Sequence, residues 1–182
     1  MTVAQNDPPP PRAAFHTVVD RPEACSLLDR GVLVTIRRAP FDGQQLRELR
    51  EKMAMLGRMH PRGVVSLMAY RLTSDFPVSE DDLSAVDELT NAARSVDRVI
   101  VAHAVVLEFG GIRAAAMRLI ARTIWQVARP RAALAHFERV TEGASWLVPH
   151  ARAIGANDDI ADYVRAYREA DRVLSSRGFA RR

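Results

Sequence analysis

The residues best suited to bind a ligand form the turn Phe109-Gly110-Gly111-Ile112-Arg113, which follows a long apolar run. Two consecutive glycines allow a sharp turn, because glycine tolerates positive φ. At the end of a strand such a turn points backbone donors and the Arg113 cation toward the edge where α/β sheets bind anionic ligands. Gly110, Gly111 and Arg113 are therefore candidate binding residues for a small anionic or lipid-like molecule. The alternative is a tight turn with a structural role only.

The titratable and nucleophilic residues show no catalytic signature. His103 and Glu108 are five residues apart, which puts them on opposite faces of a regular strand, so we expect His103 to be a structural histidine. The other histidines lack metal-ligand spacing, and no P-loop or dinucleotide-binding glycine pattern occurs. Cys25 is the single cysteine, which excludes an internal disulfide and a cysteine-cage zinc site. We expect no enzymatic activity, no cofactor and no metal.

A strand and a helix flank the two glycines. Residues 99–107 are almost all apolar, which is typical of a strand buried on both faces of a sheet. After the glycines, apolar residues recur at helical spacing and predict a helix with one face on that sheet. They are Ala114, Met117, Ala121, Ile124 and Ala128, while Arg118, Arg122 and Arg129 should face water. A buried strand that turns into an amphipathic helix is half of a βαβ unit, which indicates an α/β protein.

The rest of the chain alternates between strand and helix patterns. Further strands are predicted at residues 13–19, 25–28, 32–36, 64–72 and 133–137, with Asp29-Arg30-Gly31 as a hairpin turn. Further helices are predicted from Asp42 to Gly57, from Ser79 to Ala93, from Thr141 to Pro149 and from Asn157 to Leu174.

These elements predict a single mixed, mostly parallel sheet of four to five strands packed by helices, with an extra C-terminal helix. We divide the chain into a disordered Pro-rich tail (1–12), the α/β domain (13–150), and an added helix with a basic tail (151–182).

Composition excludes several classes of protein. A net charge of +4 arises from 26 basic residues scattered among 22 acids, so we expect no nucleic-acid binding, which requires a clustered basic face. No apolar run reaches the roughly 18 residues that a membrane span needs. The N-terminal residues lack the basic leader and apolar core of a secretory signal. We expect a cytoplasmic protein without membrane insertion.

Four segments resemble the STAS domain, the fold of bacterial anti-sigma-factor antagonists, and its STAS-like relatives. They are GVLVTIRRAPFD, GVVSLMAYRLTS, VDRVIVAHAVVLEF and ALAHFERVTEGASWL, and the resemblance covers roughly residues 15–147. It implies a non-enzymatic module that binds partner proteins, among them a kinase or a sigma-factor regulator.

The resemblance also implies a phosphorylation switch at a serine or threonine near the helix that follows the middle strand. The matching corner is residues 73–79, where Ser74 matches by its position after the strand and Ser79 by its capping role. Thr73, Ser74 and Ser79 are therefore candidate phosphorylation residues. The alternative is that these hydroxyl groups only cap the helix or shape the turn.

The last predicted helix has an apolar side that includes Tyr163 and Tyr167. Its polar, solvent-facing side includes Arg165, Arg168 and Arg172. It either packs back on its own domain or docks on a partner or a second copy of the chain, which would form a homodimer. In the second case Tyr163 and Tyr167 are the candidate interface residues. The sequence therefore favours a STAS-like interaction module in bacterial signalling, with a small-ligand-binding protein as the alternative.

Overall fold

A computed structural model describes residues 15–39, 41, 43–71, 90, 91, 94, 96, 99–128, 131–156 and 159–176. Within these ranges the chain forms one mixed sheet of six strands packed by helices, so the predicted α/β class is confirmed. The strands are β1 (His16–Arg21), β2 (Ala24–Asp29), β3 (Val32–Arg37), β4 (Val64–Tyr70), β5 (Ile100–Leu107) and β6 (Ala133–Phe137). The helices are α1 (Gly43–Met59), α2 (Gly111–Ala128), α3 (Val140–Ala153) and α4 (Ile160–Ser176).

The strands lie in the sheet in chain order, from β1 to β6. β1, β2 and β3 pair antiparallel, because loops of two residues join them, whereas β3, β4, β5 and β6 pair parallel. Arg30 and Gly31 both have positive φ (45° and 89°), as the predicted hairpin turn between β2 and β3 requires. β4 and β5 are interior neighbours paired from Val64 and Ile100 to Tyr70 and Leu107, as their apolar runs predict.

Helices cover both faces of this sheet. α3 and α4 pack on the face that carries Val34, Leu67 and Ala104, and their own buried residues complete the main core. The opposite face contacts α1 through Leu28, Leu33 and Val64, and α2 through Val105 and Leu107. Successive side chains of a strand alternate between the two faces of the sheet. Since β3 and β5 are apolar at most positions, helices can pack on both of their faces.

Three predicted helix details are wrong. α1 continues past Gly57 to Met59. α3 begins after Arg139, which makes no side-chain capping bond, rather than at Thr141, and it continues through Pro149 to Ala153. Pro149 is exposed, and the helical turns on either side of it are held by the packing of Leu147 and Ala151 in the core. Tertiary burial therefore outweighs the missing backbone donor of the proline.

The predicted added helix belongs to the same core as the sheet. Tyr163, Ala166, Ala170 and Leu174 of α4 are buried, and they recur at helical spacing against β2 and β3. The predicted Pro-rich tail, the predicted cap Asn157 and most of the predicted helix from Ser79 lie outside the described residues.

Candidate functional site

The turn between β5 and α2 has the predicted glycine conformation. Gly111 has φ of 76°, in the left-handed region that favours glycine, and it begins α2. A Cβ atom at either Gly110 or Gly111 would meet no other heavy atom within 4 Å, so both glycines border open space. Arg113 lies in the first turn of α2, but its side chain lies outside the described part of the structure. Anion binding at Gly110, Gly111 and Arg113 stays a prediction.

A polar cluster lies beside this turn, at the carboxyl ends of β4 and β5. Arg71 follows β4 and donates through Nε to Glu108 (2.7 Å), through Nη1 to Asp171 (2.6 Å), and through Nη2 to the Tyr167 hydroxyl. Tyr167 in turn donates to Glu108 Oε1 at 2.5 Å. Burial raises the pKa of Tyr167, and the hydrogen bond to Glu108 raises this pKa further, so the phenol stays protonated as a donor.

Arg38 extends the cluster to the end of α4. Its Nη2 atom lies 3.9 Å from Asp171, and its Nη1 atom donates to the Leu174 carbonyl oxygen at 3.2 Å. The guanidinium therefore binds a carbonyl that lacks a partner in the helix, where a cation is also favoured by the helix dipole. The charges of the two cations and the two carboxylates in this cluster balance. The cluster is therefore better suited to holding α4 on the sheet than to binding an anion.

The sheet face below α2 carries two histidines. His103 on β5 pairs with Leu134 on β6, and His136 pairs with Val105 two residues along, on the same face. Burial and, to a smaller extent, the neighbouring His136 together lower the pKa of His103 to about 4. Burial, together with the positive charges of Arg122 and Arg118, also lowers the pKa of His136. Both imidazoles are therefore neutral at pH 7.

The inner face of α2 attaches this helix to the sheet. Ala114 is buried against Val105 and Leu107, and Met117 and Leu134 pack at the edge of the same cluster. The predicted inward stripe is thus correct at its first two positions. The small side chain of Ala114 on this face lets the helix lie close to the sheet.

Among the described side chains, the outer face of α2 carries three large apolar ones that are open to solvent. Ile112, Leu119 and Val127 have 90%, 66% and 57% of their surface exposed. With about 100° per residue, Leu119 lies about 20° to one side of Ile112 and Val127 about 60° to the other, so the three share one side of the helix within about 80°. We call these three residues the α2 stripe. Isolated exposed apolar residues are ordinary, but an aligned set marks a candidate interaction surface.

Arginines flank the α2 stripe on one side. Arg122 is exposed, and Arg118 is partly exposed and lies 3.3 Å from Glu138, itself 78% exposed. These arginines reach solvent as predicted from the sequence, but the sequence interpretation did not include the stripe beside them. The signal was present, because Ile112, Leu119 and Val127 are spaced by seven and eight residues and lie off the predicted inward face.

Neither tyrosine predicted at a partner interface is an exposed candidate. Tyr163 is fully buried in the main core, and Tyr167 is partly buried in the Arg71 cluster. The last helix therefore packs on its own domain, which was one of the two alternatives, and Tyr163 does not face a partner. The candidate phosphorylation residues Thr73, Ser74 and Ser79 lie outside the described residues.

A small pocket lies at the other end of the sheet, between β1, β3 and α1. The pocket has a volume of about 30 Å³ and is lined by Val19, Arg21, Arg37, Phe41, Gln45, Glu48, Leu49 and Lys52. Arg37 is buried there, with its guanidinium 3.5 Å from the centre of the Phe41 ring and 2.6 Å from Gln45 Oε1. This volume accommodates about two water molecules, whereas pockets for organic ligands hold about 300–1,000 Å³.

Comparisons with protein-family models, with curated proteins and with solved structures give no match for this chain. Among the described residues, no three or more His, Cys, Asp or Glu side chains come together as a metal site. The helices in the described ranges include none that is long and apolar enough to cross a bilayer. The α2 stripe is therefore the candidate site with the most direct geometric support.

Proposed function

We propose that this protein is a non-enzymatic interaction module of STAS-like architecture that docks a partner protein through the α2 stripe. The observation that carries this proposal is the exposure of Ile112, Leu119 and Val127 on one side of a helix whose other face is fixed to the sheet. The alternation of strands and helices along one sheet supports the STAS-like part of the proposal. A cytoplasmic role in bacterial signalling, with a kinase or sigma-factor regulator as partner, is what the resemblance implies.

The size of the α2 stripe bears on the strength of such docking. Full burial of one aliphatic side chain is worth about 1.5–3 kcal/mol, so three partly exposed ones supply about 3–6 kcal/mol. Association itself costs about 4 kcal/mol or more in lost freedom of motion. The stripe alone would therefore give weak and reversible binding, and polar contacts at its edges must contribute to a specific complex. Reversible contact suits a signalling module.

A second candidate function is binding of a small anionic or lipid-like ligand at the β5–α2 turn. The open space at Gly110 and Gly111 favours this candidate, because a ligand could approach the backbone there without displacing a side chain. Calorimetric titration with inorganic phosphate tests it. Saturable heat that is absent in an Arg113→Ala variant would support the site, and no saturable heat up to about 10 mM phosphate would remove it.

A photo-crosslinking amino acid placed along α2 tests the docking proposal. We expect the full chain with the crosslinker at position 119 or 127 to form an adduct with another protein in cells that express it. Met59 on α1 is the matched control position, because it is 56% exposed and Val127 is 57% exposed. The adduct at position 127 should disappear when Ile112→Asp is added. Equal adducts at positions 59 and 127, or adducts unaffected by Ile112→Asp, would contradict docking through the stripe.

A further inference from the structure

The charge of α2 indicates which kind of partner fits the α2 stripe. Its eighteen residues contain three arginines, Arg113, Arg118 and Arg122, and no aspartate or glutamate. Resting on the docking function proposed above, we propose that the partner surface is an acidic amphipathic helix whose apolar side covers Ile112, Leu119 and Val127 and whose carboxylates meet Arg118 and Arg122.

The positions of the arginines support this arrangement. At about 100° per residue, Arg122 lies about 80° and Arg118 about 120° from Ile112, both on the same side of the helix. A helix that lies along the stripe therefore brings one of its edges against both guanidinium groups. The ion pair of Arg118 with Glu138 does not prevent this contact, because Glu138 is 78% exposed and an exposed pair is worth about 1 kcal/mol or less.

The same charges oppose self-association through this surface. Two copies of α2 packed along their stripes would bring four arginines, Arg118 and Arg122 of each copy, and no carboxylate of α2 into one interface. Like charges close together destabilise such a contact and suppress the wrong partner. A second copy of the chain is therefore a poorer occupant than an acidic helix.

The apolar area of the α2 stripe is too small for stable binding to a membrane surface. The three side chains contain about eleven carbon atoms in total, which is fewer than one myristoyl chain, and a single myristoyl chain gives only marginal membrane binding. A helix of eighteen residues is about 27 Å long at 1.5 Å per residue, so a partner helix of four to five turns matches it along its length.

Two synthetic helical peptides of eighteen residues test the proposal by fluorescence anisotropy with the full chain. Both have leucine at heptad-spaced positions, and one has glutamate and the other lysine along the same edge. We expect the glutamate peptide to bind at least tenfold more tightly, and Leu119→Asp to weaken its binding at least tenfold. The double variant Arg118→Glu, Arg122→Glu should reverse the preference toward the lysine peptide. Arg168→Glu, at an exposed position of α4, is the control and should leave the preference unchanged.

Each other outcome overturns the inference. Equal binding of both peptides, or no binding of either, would show that charge does not select the partner. Tighter binding to phosphatidylglycerol vesicles than to the glutamate peptide, lost in Leu119→Asp, would assign the stripe to a membrane. Sedimentation as a dimer that Leu119→Asp dissociates would assign it to a second copy. The crosslinking experiment decides separately whether α2 docks on any protein, so an adduct with a non-acidic segment would retain the docking function and refute only the acidic partner.

Discussion

The Arg71 cluster makes a quantitative prediction about stability. Replacing Arg71 with methionine removes its contacts to Glu108, Asp171 and Tyr167 and leaves two carboxylates close together. An exposed ion pair contributes about 0.2–1 kcal/mol, whereas breaking a buried pair costs about 3–5 kcal/mol. The side chains of Arg71, Glu108 and Asp171 are 36%, 20% and 33% exposed, so the cluster lies between these limits. We expect the free energy of unfolding to fall by about 2 kcal/mol.

Urea denaturation and thermal unfolding at pH 7 measure this loss. For a chain of this size about 2 kcal/mol corresponds to a fall of about 4–8 °C in Tm. Arg172→Met is the matched control on α4, because Arg172 is 76% exposed and pairs with Glu169 at 2.7 Å. We expect this control to lose less than about 0.5 kcal/mol. If Arg71→Met loses no more than Arg172→Met, the cluster does not clamp α4 to the sheet.

Four further predictions concern single positions. Gly63→Ala should lower the free energy of unfolding by about 2 kcal/mol or more in urea titration, because Gly63 has φ of 94° and a Cβ there would lie 2.5 Å from Val101 Cγ1. Gly110→Ala should change it by less than about 0.5 kcal/mol, since nothing lies within 4 Å. Because His103 has a folded-state pKa of about 4, below its ordinary value, its contribution to stability is complete above pH 6.5 and is lost as the pH falls toward 4. Urea titrations at pH 7.5 and 5.5 should therefore show the wild type losing about 1 kcal/mol more than His103→Leu, and equal losses would contradict its burial as a neutral group. Pro149→Ala should raise the free energy of unfolding by about 1–3 kcal/mol, because Pro149 is an exposed residue inside α3, and a lower Tm would be evidence against helix at this position.

The sequence predicts the sheet well because burial on both faces leaves a strong local pattern. β4 and β5 contain few polar residues, and two such runs separated by helical patterns indicate interior parallel strands. The hairpin of β2 and β3 is equally local, since Gly31 permits the positive φ that its turn requires. The predicted count of four to five strands is too low, because all six predicted strand segments join one sheet, including the largely exposed edge strand β1 predicted at residues 13–19.

Features that depend on distant residues could not be predicted in the same way. Arg71 contacts residues 37 and 100 positions away, and nothing near Arg71 in the sequence indicates Glu108 or Asp171 as its partners. The burial of Tyr163 has a similar cause, since an amphipathic pattern shows that one face is covered but does not show by what. The α2 stripe could have been predicted from the sequence, because three large apolar residues lie off the inward face of a helix whose register is clear.

The most direct test of docking through α2 is methyl NMR of the full chain, labelled on isoleucine, leucine and valine, during titration with the glutamate peptide. We expect the signals of Ile112, Leu119 and Val127 to shift together and to saturate at one peptide concentration. Ile160 and Val101 are the internal controls, because they are 40% and 36% exposed and lie on α4 and β5. Their signals should stay in place. Equal shifts at the controls, or no shifts along α2, would contradict the claim that this helix is the docking surface.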